Sequence, residues 1–414
     1  MKPYLSLFTG LIVTGSLLQA QETKPVDESF LASLRAEAAV NHPAAASSRL
    51  REAAAGRDIR GVRLWDDPMI GLSLMVARQS MRADDGDIVL SYEQPIPKPG
   101  IYQANLGKAA AIQRAESENS RMSALEVGAT AAKDAVELAL ADESITLQSA
   151  QIKWLDSIVE NAREMSINPD ATSTDALRLE SELARENAIL AAARRTRDSI
   201  AQSLNLRLGR PLESPWPQLR LSLNPAPTPV ASSEIARISR VNPKVRSMKE
   251  MASAANAEVR IADLDRQPQF AVAVDSALYS GGDVRSIGIG LKMSLPYFNR
   301  SSYDAKLSAS QLREKAAVKD FEATQLDIAS AVLATTTEAA NASAQARAYS
   351  GEIYQRALAA TDSVQASWIS SKANLTDLLD SNRMLFSIRL EQRRFVAMQL
   401  AALEELNLLV PRQP

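Results

Sequence analysis

The chain has 414 residues with 47 Lys+Arg against 49 Asp+Glu, and its formal charge of −2 gives no electrostatic case for a nucleic-acid partner. Hydrophobic residues reach 46% but aromatics only 5%; Ala, Leu, Val and Ile carry the apolar content, which favours long helices packed side by side over one thick core. The lack of cysteine excludes disulfides, thiolate metal sites, Cys nucleophiles and a lipidated N-terminal Cys.

At the N-terminus, MKPYLSLFTGLIVTGSLLQAQETKP sets one Lys before an apolar run from Leu5 to Leu18, and a small residue, Ala20, before a polar segment. This pattern predicts a secretory signal peptide over 1–20, so that the mature chain leaves the cytoplasm. The run is too short to span a bilayer, and no later segment holds about 18 uninterrupted apolar residues, so no transmembrane helix is predicted.

The rest of the chain is a duplication. Val40-Asn41-His42-Pro43, Pro68, Pro95 and Tyr102-Gln103-Ala104-Asn105-Leu106 are answered by Val241-Asn242-Pro243, Pro268, Pro296 and Tyr303-Asp304-Ala305-Lys306-Leu307. The prolines recur at offsets of 200, 200 and 201, and Thr174-Asp175-Ala176-Leu177 returns as Thr376-Asp377-Leu378-Leu379 at 202. Landmarks in one order at nearly one offset define two repeats, 21–209 and 234–414, joined by a linker at 210–233 whose six prolines forbid a continuous helix.

Both repeats share one plan. A helical segment, 28–64 or 234–265, ends at a proline that begins extended chain. Two strands follow, predicted at 69–77 and 87–94 around RQSMRADDG, and at 269–279 and 285–295 around GGD. The clearest alternates Ile287, Ile289, Leu291, Met293 and Leu295 with Gly288, Gly290, Lys292 and Ser294, giving one apolar face and one small or polar face. Long helices are predicted at 102–165 and 303–369; the first would run roughly 95 Å at 1.5 Å per residue, so it needs partners along its length. Ile145, Ile152, Leu155, Val159 and Ala162, and again Leu385, Ile388, Phe395, Ala402 and Leu406, fall at the 3-4 spacing of a coiled-coil seam, with Gln148, Gln392 and Gln399 among them. Turns at 166–174 and 370–375 then send a shorter helix back antiparallel.

Four strands of about ten residues in an exported chain fit a bacterial outer-membrane barrel. Four cannot close one alone and open edges are not tolerated in lipid, so several chains must contribute; three would supply twelve strands. A soluble pair of hairpins capping a helical bundle is the competing reading of the same pattern. The stretch LTDLLDSNRM puts Asp377 and Asp380 on one helical face just past the second turn, where they are either solvated acids near a helix N-terminus or the lining of a site.

The duplicated plan, the entry into each long helix and the terminal TDLLDSNRMLFSIRLEQRRFVAMQLAALEELNLLV together resemble the TolC-like outer-membrane efflux proteins over the whole mature chain. The compact strand regions look most like the cation-efflux (CzcC and CusC) branch. The resemblance implies a mainly α fold with a transmembrane β part: a homotrimer whose shared 12-stranded barrel continues into a periplasmic α-helical barrel. It implies a passive outer-membrane duct, without cofactor or catalysis, completing a tripartite pump with a periplasmic adaptor and an inner-membrane transporter of RND type. It also implies that Asp377 and Asp380 line the narrowest point, where three-fold symmetry gives six carboxylates that favour cations. The positions matching the family's inter-hairpin latch are Thr174, Asp175 and Trp368. The latch Arg of some relatives falls at Ala373, with Lys372 one position earlier. No Met- or His-rich stretch supports a metal substrate.

Other chemistry is starved of parts. His42 is the sole histidine, which excludes a multi-His metal site and leaves a triad only one candidate base; beside Pro43 it suits a structural role at a helix break. Asp66-Asp67, Asp84-Asp85 and Glu404-Glu405 read as turn or helix-face acids, while Trp65, Tyr92, Tyr102, Tyr279, Tyr297 and Tyr303 gather at strand ends, where either an interfacial belt or hairpin packing would put them. The competing functions are a type I secretion duct, a periplasmic coiled-coil adaptor, disfavoured by the two full repeats, and an exported two-carboxylate hydrolase, disfavoured because both acids sit on one helix with no aromatic cleft.

Overall fold

A computed structural model describes residues 23–74, 88–165, 173–223, 227–278, 282–370 and 372–412; the predicted signal peptide, the turn RQSMRADDG and the centre of the first tip turn lie outside them. In chain order the elements are β1 (Lys24–Val26), α1 (Glu28–Asn41), α2 (Pro43–Gly61), β2 (Met69–Leu74), β3 (Ile88–Ile96), α3 (Ile101–Met165), α4 (Ser173–Arg207), β4 (Leu219–Leu221), α5 (Ala231–Ile235), α6 (Ile238–Val241), α7 (Pro243–Asp265), β5 (Phe270–Leu278), β6 (Val284–Met293), α8 (Arg300–Ser350), α9 (Glu352–Ile369) and α10 (Leu375–Leu409).

Three segments predicted as single helices are divided. The 28–64 segment breaks where Pro43 starts a new helix and His42, in extended conformation, caps it by accepting the Ala44 N–H on Nδ1 at 3.2 Å. The 234–265 segment breaks at the matching place: Asn242 caps α7 by accepting the Val245 N–H at 3.0 Å and donates to the Leu409 carbonyl at 2.8 Å. The second long helix is interrupted at Gly351, between α8 and α9, whereas α3 runs unbroken for 65 residues. The linker, too, is more ordered than its prolines suggest, because Leu219–Leu221 pairs in parallel with Lys24–Val26.

Strands β2, β3, β5 and β6 form one antiparallel sheet in that order, so the β3 to β5 pairing fuses the two repeats. The register places Tyr92 opposite both Ile70 and Val274, and Val274 opposite Ile289, which stacks the alternating apolar residues on a single face. That face is bare: Ile70 is 76% exposed and Ile289 81%. On the other face Lys292 reaches across β5 to Glu93 at 2.6 Å, over Ala271 and Ala273, both buried. The outer edges of β2 and β6 carry no partner strand among the described residues.

Below the sheet α3 packs on α4, and α8 and α9 on α10, as two helical hairpins; α7 lies between α3 and α8, and α3 also meets α10. The largest core sits midway along α3, where a run of alanines (Ala131, Ala132, Ala135, Ala139) lets α1 and α10 approach closely and Val26, Leu204, Leu219 and Val396 fill the space. Gly128 marks that closeness, since a Cβ there would stand 3.1 Å from the Cβ of Arg35.

Candidate functional site at the hairpin tips

Both hairpins share one apolar core at their tips. Leu155, Ile158, Val159 and Ala162 of α3 and Leu179 of α4 meet Trp368 of α9 and Leu375, Leu378 and Leu379 of α10. Burying a Leu side chain contributes about 2 kcal/mol, so this cluster is the main apolar joint between the hairpins at their tips. Trp368, 6% exposed, is thus a packing residue.

Helix α10 begins where Asn374 accepts the Asp377 N–H at 2.8 Å, which orients its first turn. With Leu375, Leu378 and Leu379 facing the core, the spacing turns Asp377 and Asp380 outward, and both are exposed. Asp380 is 63% exposed and lies 3.3 Å from Arg383 on its own helix. Arg383 is drawn more strongly to Glu182 of α4, at 2.7 Å; that hydrogen bond raises the guanidinium pKa despite partial burial. Asp377 forms no ion pair among the described residues, so it is the less neutralised of the two acids.

The remaining predicted latch residues are not drawn together by charge. Asp175 and Lys372 are both exposed and no ion pair joins them, and the side chain of Thr174 lies outside the described set. Polar contacts that cross between the hairpins near their tips include Arg178 donating to Thr376 Oγ1 at 3.0 Å and Arg383 donating to Glu182. Sequence reasoning missed both, although the repeat offset held one clue: Arg178 stands where the second repeat has Asp380.

Midway up the hairpins Glu404 belongs to a buried charge cluster and not to the helix-face acid pair that Glu404-Glu405 predicts. Glu404 is 2% exposed, and its two oxygens accept from Arg35 Nη1 at 2.6 and 2.7 Å; Arg35 also pairs with Glu28. Burial pushes the Glu404 carboxyl pKa up, and the Arg35 pairing only partly offsets this. Nearby, Asp142 accepts the Leu219 N–H at 2.8 Å and Arg197 Nε at 3.0 Å, fastening the linker strand to α3. A Glu in an Ala-rich helix gives no local sign that another element will cover it.

Comparisons with known proteins agree with this geometry. Residues 236–410, the span from α6 to the end of α10, match the model of the family described as outer membrane efflux protein. Among solved structures, VceC from Vibrio cholerae is 17% identical with a TM-score of 0.75, over 91% of this chain and 96% of that one. The open-state MtrE channel from Neisseria gonorrhoeae gives 18% and 0.71 over 91% and 88%, and CusC gives 15% and 0.76 over 92% and 91%. No curated protein matches the chain. The fold is therefore that of the outer-membrane efflux channels. CusC stands no nearer than the others, so the expected cation-efflux branch is not singled out.

Proposed function

We propose that the chain is the outer-membrane duct of a tripartite efflux pump, working as a passive homotrimeric channel and not as an enzyme. The bare apolar face of the sheet, set against a small and polar opposite face, is the observation that carries this reading. Such a surface suits hydrocarbon on one side and a water-filled lumen on the other. The unpaired edges of β2 and β6 are then satisfied by neighbouring copies, three of which give twelve strands. The helical hairpins extend into the periplasm, where an adaptor and an inner-membrane transporter of RND type complete the path. Export is directed by the cleaved signal peptide at 1–20.

At the tips, Asp377 and Asp380 form the constriction. Their outward orientation, away from the shared core, is what supports the role. The closed tip is held by Trp368 in the core, with the Arg178–Thr376 and Arg383–Glu182 contacts in support of it; among the described residues no contact supports a latch role for the expected Thr174, Asp175 and Lys372. The test uses the cysteine-free background: Cys pairs placed at Ile70 or Leu72 of β2 and Ile287 or Ile289 of β6 should cross-link copies into a covalent trimer in outer-membrane fractions. Monomer under oxidation at every pairing, or recovery in the soluble periplasm, would overturn the reading.

A further inference from the structure

Beside the linker lies a cavity of about 840 Å³ that the duct reading leaves without a role. Asp142, Thr146, Ser149 and Lys153 recur every three or four residues along α3 and so present one face to it. Arg194 and Arg197 of α4 form a second wall, and Trp216 and Gln218 of the linker a third. Gly128 and Ala135 stand two heptads and one heptad before Asp142 and pack towards α1, so the cavity opens on the side of α3 that α1 and the linker cover.

Part of the lining is already committed. Asp142 accepts from the Leu219 N–H and from Arg197, and Arg197 Nη2 also donates to the Trp216 carbonyl at 3.2 Å. Gln218 Nε2 donates to Thr146 Oγ1 at 2.9 Å. Trp216 is fixed too: Nε1 donates to Asn205 Oδ1 at 2.7 Å, and the Arg210 guanidinium stacks 4.8 Å from the ring centre. These bonds make the walls a preformed surface whose single acid is neutralised. Lys153 and Arg194 are different: both are exposed, and neither pairs with a carboxylate among the described residues. With three cations against one carboxylate, the lining is left positive.

We infer that this cavity binds an acidic saccharide and that the source is the glycopeptide of the cell wall. Each feature of the lining has its counterpart in such a ligand: carboxylates for Lys153 and Arg194, sugar hydroxyl and amide groups for Ser149 and Gln218, and the apolar C–H faces of sugar rings for Trp216. A neutral sugar would leave the two cations without a counterpart, and an acidic peptide would leave the indole without one. Binding itself does not depend on the duct reading. The source does, because that reading makes the face under α1 and the linker the outer wall of a tube crossing the periplasm, where carboxylated glycan is the polymer the tube must pass.

The test is isothermal titration of the full-length protein in detergent with N-acetylglucosaminyl-N-acetylmuramyl tetrapeptide, which should bind saturably and more weakly as salt rises. N,N′-diacetylchitobiose, sugar without carboxylates, and tetraglutamate, carboxylates without sugar, should each bind at least about tenfold more weakly. Lys153→Gln with Arg194→Gln, two exposed and unpaired positions, should lose at least about tenfold in affinity with helicity unchanged. Ser149→Tyr, which narrows the cavity and keeps its charges, should lose a similar factor. No binding of the glycopeptide by folded protein, equal binding of tetraglutamate or of diacetylchitobiose, or full affinity in both variants would overturn the site. Tighter binding of a lipopolysaccharide core oligosaccharide would overturn the cell-wall source. Glycopeptide binding by a protein that conducts nothing in bilayers would count against the duct and leave this site standing.

Discussion

Replacing Arg35 by Leu isolates the buried carboxylate of Glu404 and should be the most damaging charge change in the middle of the hairpins. Glu404 is 2% exposed and takes both hydrogen bonds from one Arg35 nitrogen, so without Arg35 it keeps its charge in a nearly dry site. Breaking a buried ion pair costs about 3–5 kcal/mol, and because the Arg35 side chain is 23% exposed the lower figure of about 3 kcal/mol applies. The pH dependence has a definite sign. The folded-state pKa of Glu404 is already raised by burial, and losing Arg35 raises it further. A raised carboxyl pKa means that the folded chain holds the proton more tightly, so stability is gained as pH falls through the folded pKa and is complete below the unfolded one. The Arg35→Leu deficit should therefore be largest near pH 8 and shrink towards pH 5, whereas Glu404→Gln, with nothing to titrate there, should cost only about 1 kcal/mol and lose the wild type's own gain in stability at this site as pH falls. Thermal unfolding of detergent-solubilised trimer, followed by circular dichroism at 222 nm against wild type at each pH, reads both. A Tm for Arg35→Leu equal to wild type at pH 8, or a deficit that ignores pH, would refute the burial argument.

Two further substitutions test the packing. Gly128→Ala inserts a Cβ that stands 3.1 to 3.2 Å from Arg35 backbone and side-chain atoms, and the forced separation of α1 from α3 should cost about 1–3 kcal/mol, seen as a lower Tm. Leu378→Ala, at the centre of the tip core, should cost about 2–5 kcal/mol locally and expose the tip turns to limited proteolysis, with the sheet and upper helices unchanged by circular dichroism.

The parts of the fold legible in the sequence were those written as local rules. Prolines at fixed offsets marked where helices give way to strands, and the Ile287 to Met293 alternation announced a sheet with one apolar face before any partner was known. What escaped depended on a partner from far along the chain. Glu404 is buried by Arg35, 369 residues away, and Arg178 meets Thr376 across 198, so neither contact has a neighbour in sequence to announce it. The break at Gly351 was hidden for a different reason: a single Gly in an Ala-rich segment weakens a helix by only about 1 kcal/mol, which tertiary packing decides either way. Asp377 and Asp380 were visible as a pair, but their orientation became clear only once Leu375, Leu378 and Leu379 were seen to claim the opposite face.

The conductance of purified trimer in planar lipid bilayers tests whether the chain is a duct with an acidic constriction. Small, cation-selective steps are expected, blocked by divalent cations from the side bearing the helical hairpins, with that block relieved in Asp377→Ala with Asp380→Ala. Selectivity and block unchanged in the double variant would contradict the constriction, and no conductance from correctly assembled trimer in any variant would contradict the duct itself.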